Sequence, residues 1–390
     1  MLTLIKNGEV YGPDYLGKQD ILLAGTKIAM IGKSIPTPEG LEVKVIDATE
    51  KKVVPGFIDS HVHLLGGGGE GGFKTRTPEI MLTDITKGGV TTVVGCLGTD
   101  GFTRDMKSLI AKARGLEEEG VSAYCYTGSY QVPVRTTTGS IQEDLILIDK
   151  IIGVGEIALS DHRSSQPTIE ELERLTAEAR VGGILSGKAG VVNIHLGSGE
   201  RGLEYLEKII DKTEIPPTQF LPTHMNRDEE LFQKAIAYGK KGGLMDFTTS
   251  TTKRFLEEGE RKCSKALVRA LKLGIKLEQI TFSSDGQGSL PDFDRQGNYI
   301  GLQVGRVTSL YEEVRDAVLS EGLDLATALA VITKNPATIL KLKNKGEIKK
   351  GFDGDLVLLD HESLEIDTVI AMNQVMIREK EIAIKGTFEK

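Results

Sequence analysis

Only three cysteines occur in the 390-residue chain: Cys96, Cys125 and Cys263. An odd number, widely spaced and with no C-x-x-C pair, argues against a disulfide framework and suits buried free thiols in a reducing compartment. Long apolar runs are missing too. No stretch is long and apolar enough to span a membrane, and Met1 to Gly12 lacks the charged-then-apolar pattern of a signal peptide. A cytoplasmic location is the expectation. Basic residues are outnumbered, 48 Lys and Arg against 56 Asp and Glu, so the formal charge of −8 favours solubility and argues against a nucleic-acid partner. There is no low-complexity tail and no solenoid-type repeat.

The chain is too long for one core to fill comfortably, so one large domain plus a small one is the default expectation. Residues 1 to about 52 read as short alternating strands, among them Leu2–Ile5, Asp20–Leu23 and Lys27–Ile31, with turns at Asn7-Gly8 and Gly32. The C-terminus resumes that pattern in Asp355–Asp360, Val369-Ile370 and Ile382–Ile384. Between them lie eight apolar strand candidates, 53–63, 90–97, 121–128, 151–159, 189–196, 220–224, 242–250 and 279–285, separated mostly by helix-period segments such as 169–175 and 229–236. Helices near 307–320 and 324–341 would complete the set. The expected fold is α/β: a (β/α)8 TIM barrel over 53–345, with a small β-sandwich-like domain built from 1–52 and 346–390. An open doubly wound sheet is the alternative.

Histidine is scarce as well, six in all, yet four stand where a barrel places metal ligands. His61 and His63 form an H-x-H pair at the end of the first strand candidate, and a period of two turns both rings to one face. His195, His224 and Asp285 close the fifth, sixth and eighth candidates. Each alone has a bland reading: a surface pair, a hydrogen-bonded histidine, a loop cap. Five nitrogen and oxygen ligands agreeing on strand ends describe a metal site on the top face of a barrel. A pair of cations needs a bridge, and Glu156 in the fourth candidate can present one oxygen to each. Its alternative is an ion pair with Arg163. His162 and His361 are left outside the set.

With those residues assembled, the chain resembles the amidohydrolase superfamily, and within it the isoaspartyl dipeptidases. The superfamily likeness rests on Pro55-Gly56-Phe57-Ile58-Asp59-Ser60-His61-Val62-His63 and on Gly346-Glu347-Ile348 with Gly351 and Asp353-Gly354-Asp355. The narrower one rests on Gly66–Gly71, Thr127–Tyr130, Ser160–Ser164, Thr223–Arg227 and Ser283–Ser289. Members of that group bridge their metals with a carbamylated lysine, whereas Glu156 stands at the corresponding place here. A shorter side chain requires the strand to come closer, and a one-residue difference around Gly155 would do that. The resemblance implies two divalent cations, zinc first, held by His61, His63, Glu156, His195, His224 and Asp285. It implies hydrolysis of a β-aspartyl dipeptide by a bridging hydroxide, with Asp285 as general base then acid and Tyr130 polarising the amide oxygen. Tyr130 has a structural alternative.

A zwitterionic dipeptide needs one anion and two cations around a neutral amide. Glu70 suits the ammonium, and Arg163 and Arg227 the carboxylates, since the guanidinium fork matches a carboxylate. Thr99 and Ser289 join them as substrate contacts. Each of the charged groups could instead be an ordinary surface pair. The glycine cluster Gly66–Gly72 is not a phosphate loop, because no G-K-[ST] follows. The rival readings are an amidohydrolase of cyclic amides or N-acyl amino acids, and an inactive scaffold barrel. The resemblance also suggests a homo-oligomer, an octamer among the options.

Overall fold

The computed structural model describes residues 2–293 and 299–390. Eight strands alternate with helices through the middle of the chain: Phe57–Val62, Val90–Gly95, Ser122–Thr127, Ile151–Leu159, Val191–Leu196, Phe220–Thr223, Met245–Thr248 and Ile280–Ser283. The first six form one parallel sheet in chain order, and the last two pair in parallel with each other. Nearly every residue in them is buried. That is why they read as unbroken apolar runs rather than as alternating ones, since a parallel sheet is covered on both faces. The architecture is α/β and TIM-barrel-like.

Local chemistry sets the helices between the strands. Thr168 and Glu171 cap each other's backbone N–H groups at the start of Ile169–Ser186, and Gly187, with φ of 69°, ends that helix. Asp228 caps Glu229–Lys240 by accepting from the Leu231 N–H.

Two seams lie outside the strand ladders, and buried acids cross both. Ser284 N–H donates to Asp59 Oδ1 at 3.0 Å, joining the eighth strand to the first, while His63 N–H donates to Gly286 O at 2.9 Å. Asp246 in the seventh strand accepts from the hydroxyls of Thr223 (2.7 Å), Thr281 (2.6 Å) and Ser283 (2.5 Å). Burial raises both carboxyls, Asp59 to about 7 and Asp246 to about 6, against the opposing pull of their hydrogen-bond donors.

Strands from both termini form one continuous nine-stranded sheet, bonded strand to strand. It has its own apolar cluster, including Ile5, Ile21, Leu23, Val53, Leu356 and Ile370. The expected strand 53–63 is divided. Lys51–Pro55 pairs antiparallel with Leu356–Asp360 in the terminal sheet, and the barrel-like sheet begins only at Phe57. The crossing falls at Gly56, where a Cβ would lie 2.3 Å from Thr91 Oγ1. The expected helix 324–341 is also two pieces, Leu325–Ala330 and Lys334–Ile339. Pro336 has no N–H to give to a continuing helix and sits in the first turn of the second piece. The antiparallel hairpin of Ser289–Phe293 and Tyr299–Val304 was not anticipated.

Lys345 ties the two sheets together. Only 3% of its side chain is exposed, and its ammonium reaches Asp355 at 2.6 Å, Asp353 at 2.9 Å and Ser122 Oγ at 2.6 Å. Replacing it with methionine would leave the buried Asp355 carboxylate without its cation and Asp353 with Lys27 alone. Lys345→Met is expected to lose about 3–5 kcal/mol of stability, read as a lower urea midpoint. An unchanged midpoint would show that the cluster contributes nothing.

Candidate metal centre and substrate cavity

Strand ends bring the expected ligands together. His61 lies within the first strand and His63 just past it; their ring centroids are 5.5 Å apart and both rings face the same carboxylates. His61 Nε2 is 3.3 Å from Glu156 Oε2 and 3.6 Å from Asp285 Oδ1. His63 Nε2 is 3.4 Å from Glu156 Oε1 and 3.0 Å from Asp285 Oδ1. His195 Nδ1 is 3.3 Å from Glu156 Oε2, and His224 Nε2 lies 2.9 Å from that same His195 nitrogen. Side-chain partners aim these groups: His61 Nδ1 sits 3.1 Å from Asn193 Oδ1, and His224 Nδ1 2.7 Å from Thr248 Oγ1.

Glu156 is the hub. It is 1% exposed, in the middle of a fully buried strand. Along the fourth and fifth strands the register runs Val154 to Val192 and then Ile157 to Ile194, so the fourth strand carries one extra residue at Gly155-Glu156. This is a β-bulge, in which one strand carries a residue with no counterpart on its neighbour. Gly155 has φ of 148°, and a Cβ there would meet Asn193 O at 2.8 Å.

The donor set fits a pair of cations. Both Glu156 oxygens, His61 Nε2 and Asp285 Oδ1 are buried without a hydrogen-bond partner among the described residues. Two groups of donor atoms lie within 4.8 Å of one another, one from His61, His63, Cys96 and Glu156, the other from Glu156, His195 and His224. Glu156 alone belongs to both. Such atoms remain unsatisfied unless a cation collects them.

Electrostatics agree. Burial opposes charge on Glu156, yet His61 and His195 hold its carboxyl well below the usual carboxylate range. Burial likewise opposes charge on His61 and His63, but the Cys96 sulfur with Glu156, and with Asp285 for His63, lifts both rings well above the usual imidazole value. His224 is pushed well down by burial and by His195 and Arg227.

Above this floor opens a cavity of about 700 Å³ lined by His63, Glu70, Thr99, Tyr130, Arg163, Arg227, Asp285 and Ser289 among others. Glu70 Oε1 accepts from Thr99 Oγ1 at 2.9 Å and from Arg163 Nη1 at 3.1 Å. The glycine loop presses on Ser289: Gly68, with φ of 70°, would place a Cβ 2.9 Å from the serine Cβ. Arg227 Nε is buried without a partner among the described residues. The Tyr130 hydroxyl lies 2.9 Å from His195 Nδ1, and its pKa is raised well above 10 by burial and by Glu156.

Several members were not foreseen. Asp161 holds Arg163 with two bonds, to Nε at 2.9 Å and Nη2 at 2.7 Å, and lies 3.1 Å from His195 Nε2. Its D-x-R spacing beside a ligand-bearing strand was the available signal. The Arg163 alternative for Glu156 does not occur; the arginine pairs with Asp161 and Glu70. Asn226, next to the His224 loop, donates to Thr248 O at 3.1 Å and Arg261 O at 2.9 Å, pinning a wall segment that includes Glu260. His162 also lines the cavity, whereas His361 lies 3.3 Å from Glu9 in the terminal sheet.

A TIM-barrel-like chain with imidazoles and carboxylates gathered at its strand ends is of the metallohydrolase class. The profile of the amidohydrolase family matches residues 52–387, and the chain belongs to that family. The beta-aspartyl dipeptidase of Fervidobacterium islandicum AW-1, solved in complex with the beta-Asp-Leu dipeptide, is 48% identical over 100% of both chains with a TM-score of 0.91. The dihydroorotase of Elusimicrobium minutum (strain Pei191) is 26% identical over 92% of this chain and 88% of its own. The dihydropyrimidinase of Brevibacillus agri NCHU1002, 17% identical over 99% of this chain and 97% of its own with a TM-score of 0.69, shares the fold.

Two outcomes follow from this geometry. Because Glu156 alone serves both donor groups, Glu156→Ala is expected to weaken both metal positions, and His224→Ala only one. Metal analysis after dialysis reads the difference, and two tightly held equivalents in Glu156→Ala would remove Glu156 from the site. The second outcome concerns Glu260, whose carboxyl is raised to about 7 by burial, against its Thr251 hydrogen bond and Arg227. A raised folded-state pKa contributes stability that is whole below the unfolded value of 4.5 and is lost as pH climbs through 7. Glu260→Gln should therefore match the native chain near pH 4.5 and exceed it by roughly 2–3 kcal/mol above neutrality, measured as melting temperature against pH.

Proposed function

We propose that this chain is a metal-dependent hydrolase of β-aspartyl (isoaspartyl) dipeptides. One observation carries the reading: Glu70, held by Thr99 and Arg163, stands with Arg227 and Ser289 around a cavity whose floor is the histidine–carboxylate cluster. An acid and two guanidinium groups around a neutral centre complement the ammonium and two carboxylates of such a dipeptide. Full-length likeness to a beta-aspartyl dipeptidase supports it.

His61, His63, Glu156, His195, His224 and Asp285 would hold two divalent cations, zinc first. When bound, these supply Lewis acidity and bring the pKa of water toward neutrality. The protein does the rest. Arg163 and Arg227 fix the carboxylates and Glu70 the ammonium, so the amide lies over the cluster. Asp285 accepts the proton of the attacking water and returns it to the leaving amine. The Tyr130 hydroxyl, kept protonated by its raised pKa, donates to the oxygen that becomes negative.

The reading extends to the whole molecule. It is a closed (β/α)8 barrel with a β-sandwich-like domain from residues 1–52 and 346–390, working as a cytoplasmic homo-oligomer, an octamer on the resemblance. No helix among the described residues is long and apolar enough to cross a membrane.

Hydrolysis of β-Asp-Leu should exceed that of dihydropyrimidines and N-acetyl amino acids assayed in parallel; a preference for either of the latter would replace this substrate. Asp285→Asn should lower kcat by about 10²–10⁴ with metal retained, and Tyr130→Phe by more than about tenfold, or 1.4 kcal/mol. Near-native turnover in either variant would refute the corresponding role.

A further inference from the structure

The two donor groups are unequal. Glu156, His195 and His224 form a set of three, whereas His61, His63 and Glu156 have a fourth neighbour in Cys96. This cysteine stands immediately after the second barrel strand and is fully buried. Its sulfur is 3.8 Å from His63 Nδ1 and 3.6 Å from Val62 O, and it acts electrostatically on both imidazoles. Neither Cys125 nor Cys263 belongs to a donor group among the described residues; their thiols point at Leu109 O and Thr248 O. Glu156 and His61, which share a donor group with the Cys96 sulfur, have buried side-chain atoms without a hydrogen-bond partner among the described residues.

We propose that Cys96 is a sulfur ligand of the cation held by His61, His63 and Glu156, which makes the two metal positions chemically different. On coordination the S–H bond breaks, a metal–sulfur bond forms, and the proton leaves to solvent. One position then has four protein donors, two nitrogens, one oxygen and one sulfur, the pattern of a closed site. The other has three donors and keeps a place for water or substrate. Thiolate selects zinc or cobalt over magnesium or manganese, so the closed position discriminates among metals more sharply than the open one. Asp285, 16% exposed where Glu156 is 1% exposed, becomes the exchangeable donor of the group, free to carry protons. The inference rests on the metal reading of the site and not on the choice of substrate. A positioning role is the competing account, in which the thiol donates to His63 Nδ1 and only orients the ring.

The test uses the full-length protein with its metal exchanged for cobalt(II). A sulfur-to-cobalt charge-transfer band in the near ultraviolet is expected for the native chain and should vanish in Cys96→Ser and Cys96→Ala. In both variants, one of the two cobalt equivalents should pass to a chelator at least tenfold faster. Circular dichroism checks that the variants fold, and the native spectrum alone decides the matter if they do not. Two equivalents of cobalt bound without the band would overturn this proposal and leave the metal reading intact. A band that persists in both variants would also overturn it. Failure to take up cobalt would overturn both. Band absent, with Cys96→Ser holding metal as the native chain does and Cys96→Ala not, would assign the thiol to orienting His63.

Discussion

A carboxylate buried in the middle of a parallel strand is the constraint around which this molecule is arranged. Removing an ionised Glu156 from water costs several kcal/mol unless positive charge replaces the lost solvation. His61, His63 and His195 each stand within 3.4 Å of one of its oxygens. Burial alone would lower the pKa of His61 and of His63, yet the Cys96 sulfur raises both, with Glu156 for His61 and Asp285 for His63. The same side chains would hold bound cations, and any proton on a ligating nitrogen would then be released, so metal binding would be linked to pH. At Gly155-Glu156 the bulge gives this strand one residue more than its neighbour.

Much of this was legible in the sequence, for a physical reason. Period two places His61 and His63 on one face whatever surrounds them, and parallel strands announce themselves as apolar runs whose last residue faces the site. His195, His224 and Asp285 could therefore be read from their place near strand ends, whereas Glu156, in mid-strand, reads as a bridge only beside the four histidines. What could not be read depends on spacing in three dimensions rather than along the chain. Asp161 takes its role from the ring of His195, 34 residues away. Asp59 and Asp246 look like unremarkable strand acids until the seams they cross are seen. The run from Val53 to Ile58 is apolar throughout, so nothing in its pattern shows that Gly56 passes it from one sheet to another. Cys96 reads from the sequence as a buried free thiol, and so it is; rarity and spacing say nothing about which side chains it faces.

The groups proposed to receive the substrate hold one another in place. Arg163 has two bonds to Asp161 and one to Glu70, and Glu70 has a further bond from Thr99. Each charge thus keeps its orientation before any ligand arrives. A zwitterion can exchange into this arrangement without stranding a charge: its carboxylate takes the guanidinium edge that faced Glu70, and its ammonium takes Glu70. A neutral amide with only one charged end would break the same pair and replace half of it. Preorganised pairs of this kind discriminate through what they would lose, since an unmatched buried charge is far more costly than an unmade surface contact.

His195 is where the two halves of the site meet. Its Nδ1 faces the metal side, 3.3 Å from Glu156 Oε2 and 2.9 Å from His224 Nε2. Its Nε2 faces the substrate side, 3.1 Å from Asp161 Oδ2 and 3.3 Å from Arg163 Nη2. A carboxylate against the far nitrogen of a ligating ring fixes which nitrogen is free to bind and makes it more basic. Here that carboxylate is also the clamp on Arg163, the group assigned to a substrate carboxylate. Burial opposes its ionisation, but Arg163 and His195 together hold Asp161 well below the usual range, so it stays charged with both partners. Any rearrangement of Arg163 around a bound carboxylate therefore alters the field at the ring that touches Glu156. The Tyr130 hydroxyl, in contact with the same ring, senses it as well. On the proposed reading, recognition of charge at the rim and polarisation of the amide at the floor are coupled through a single imidazole.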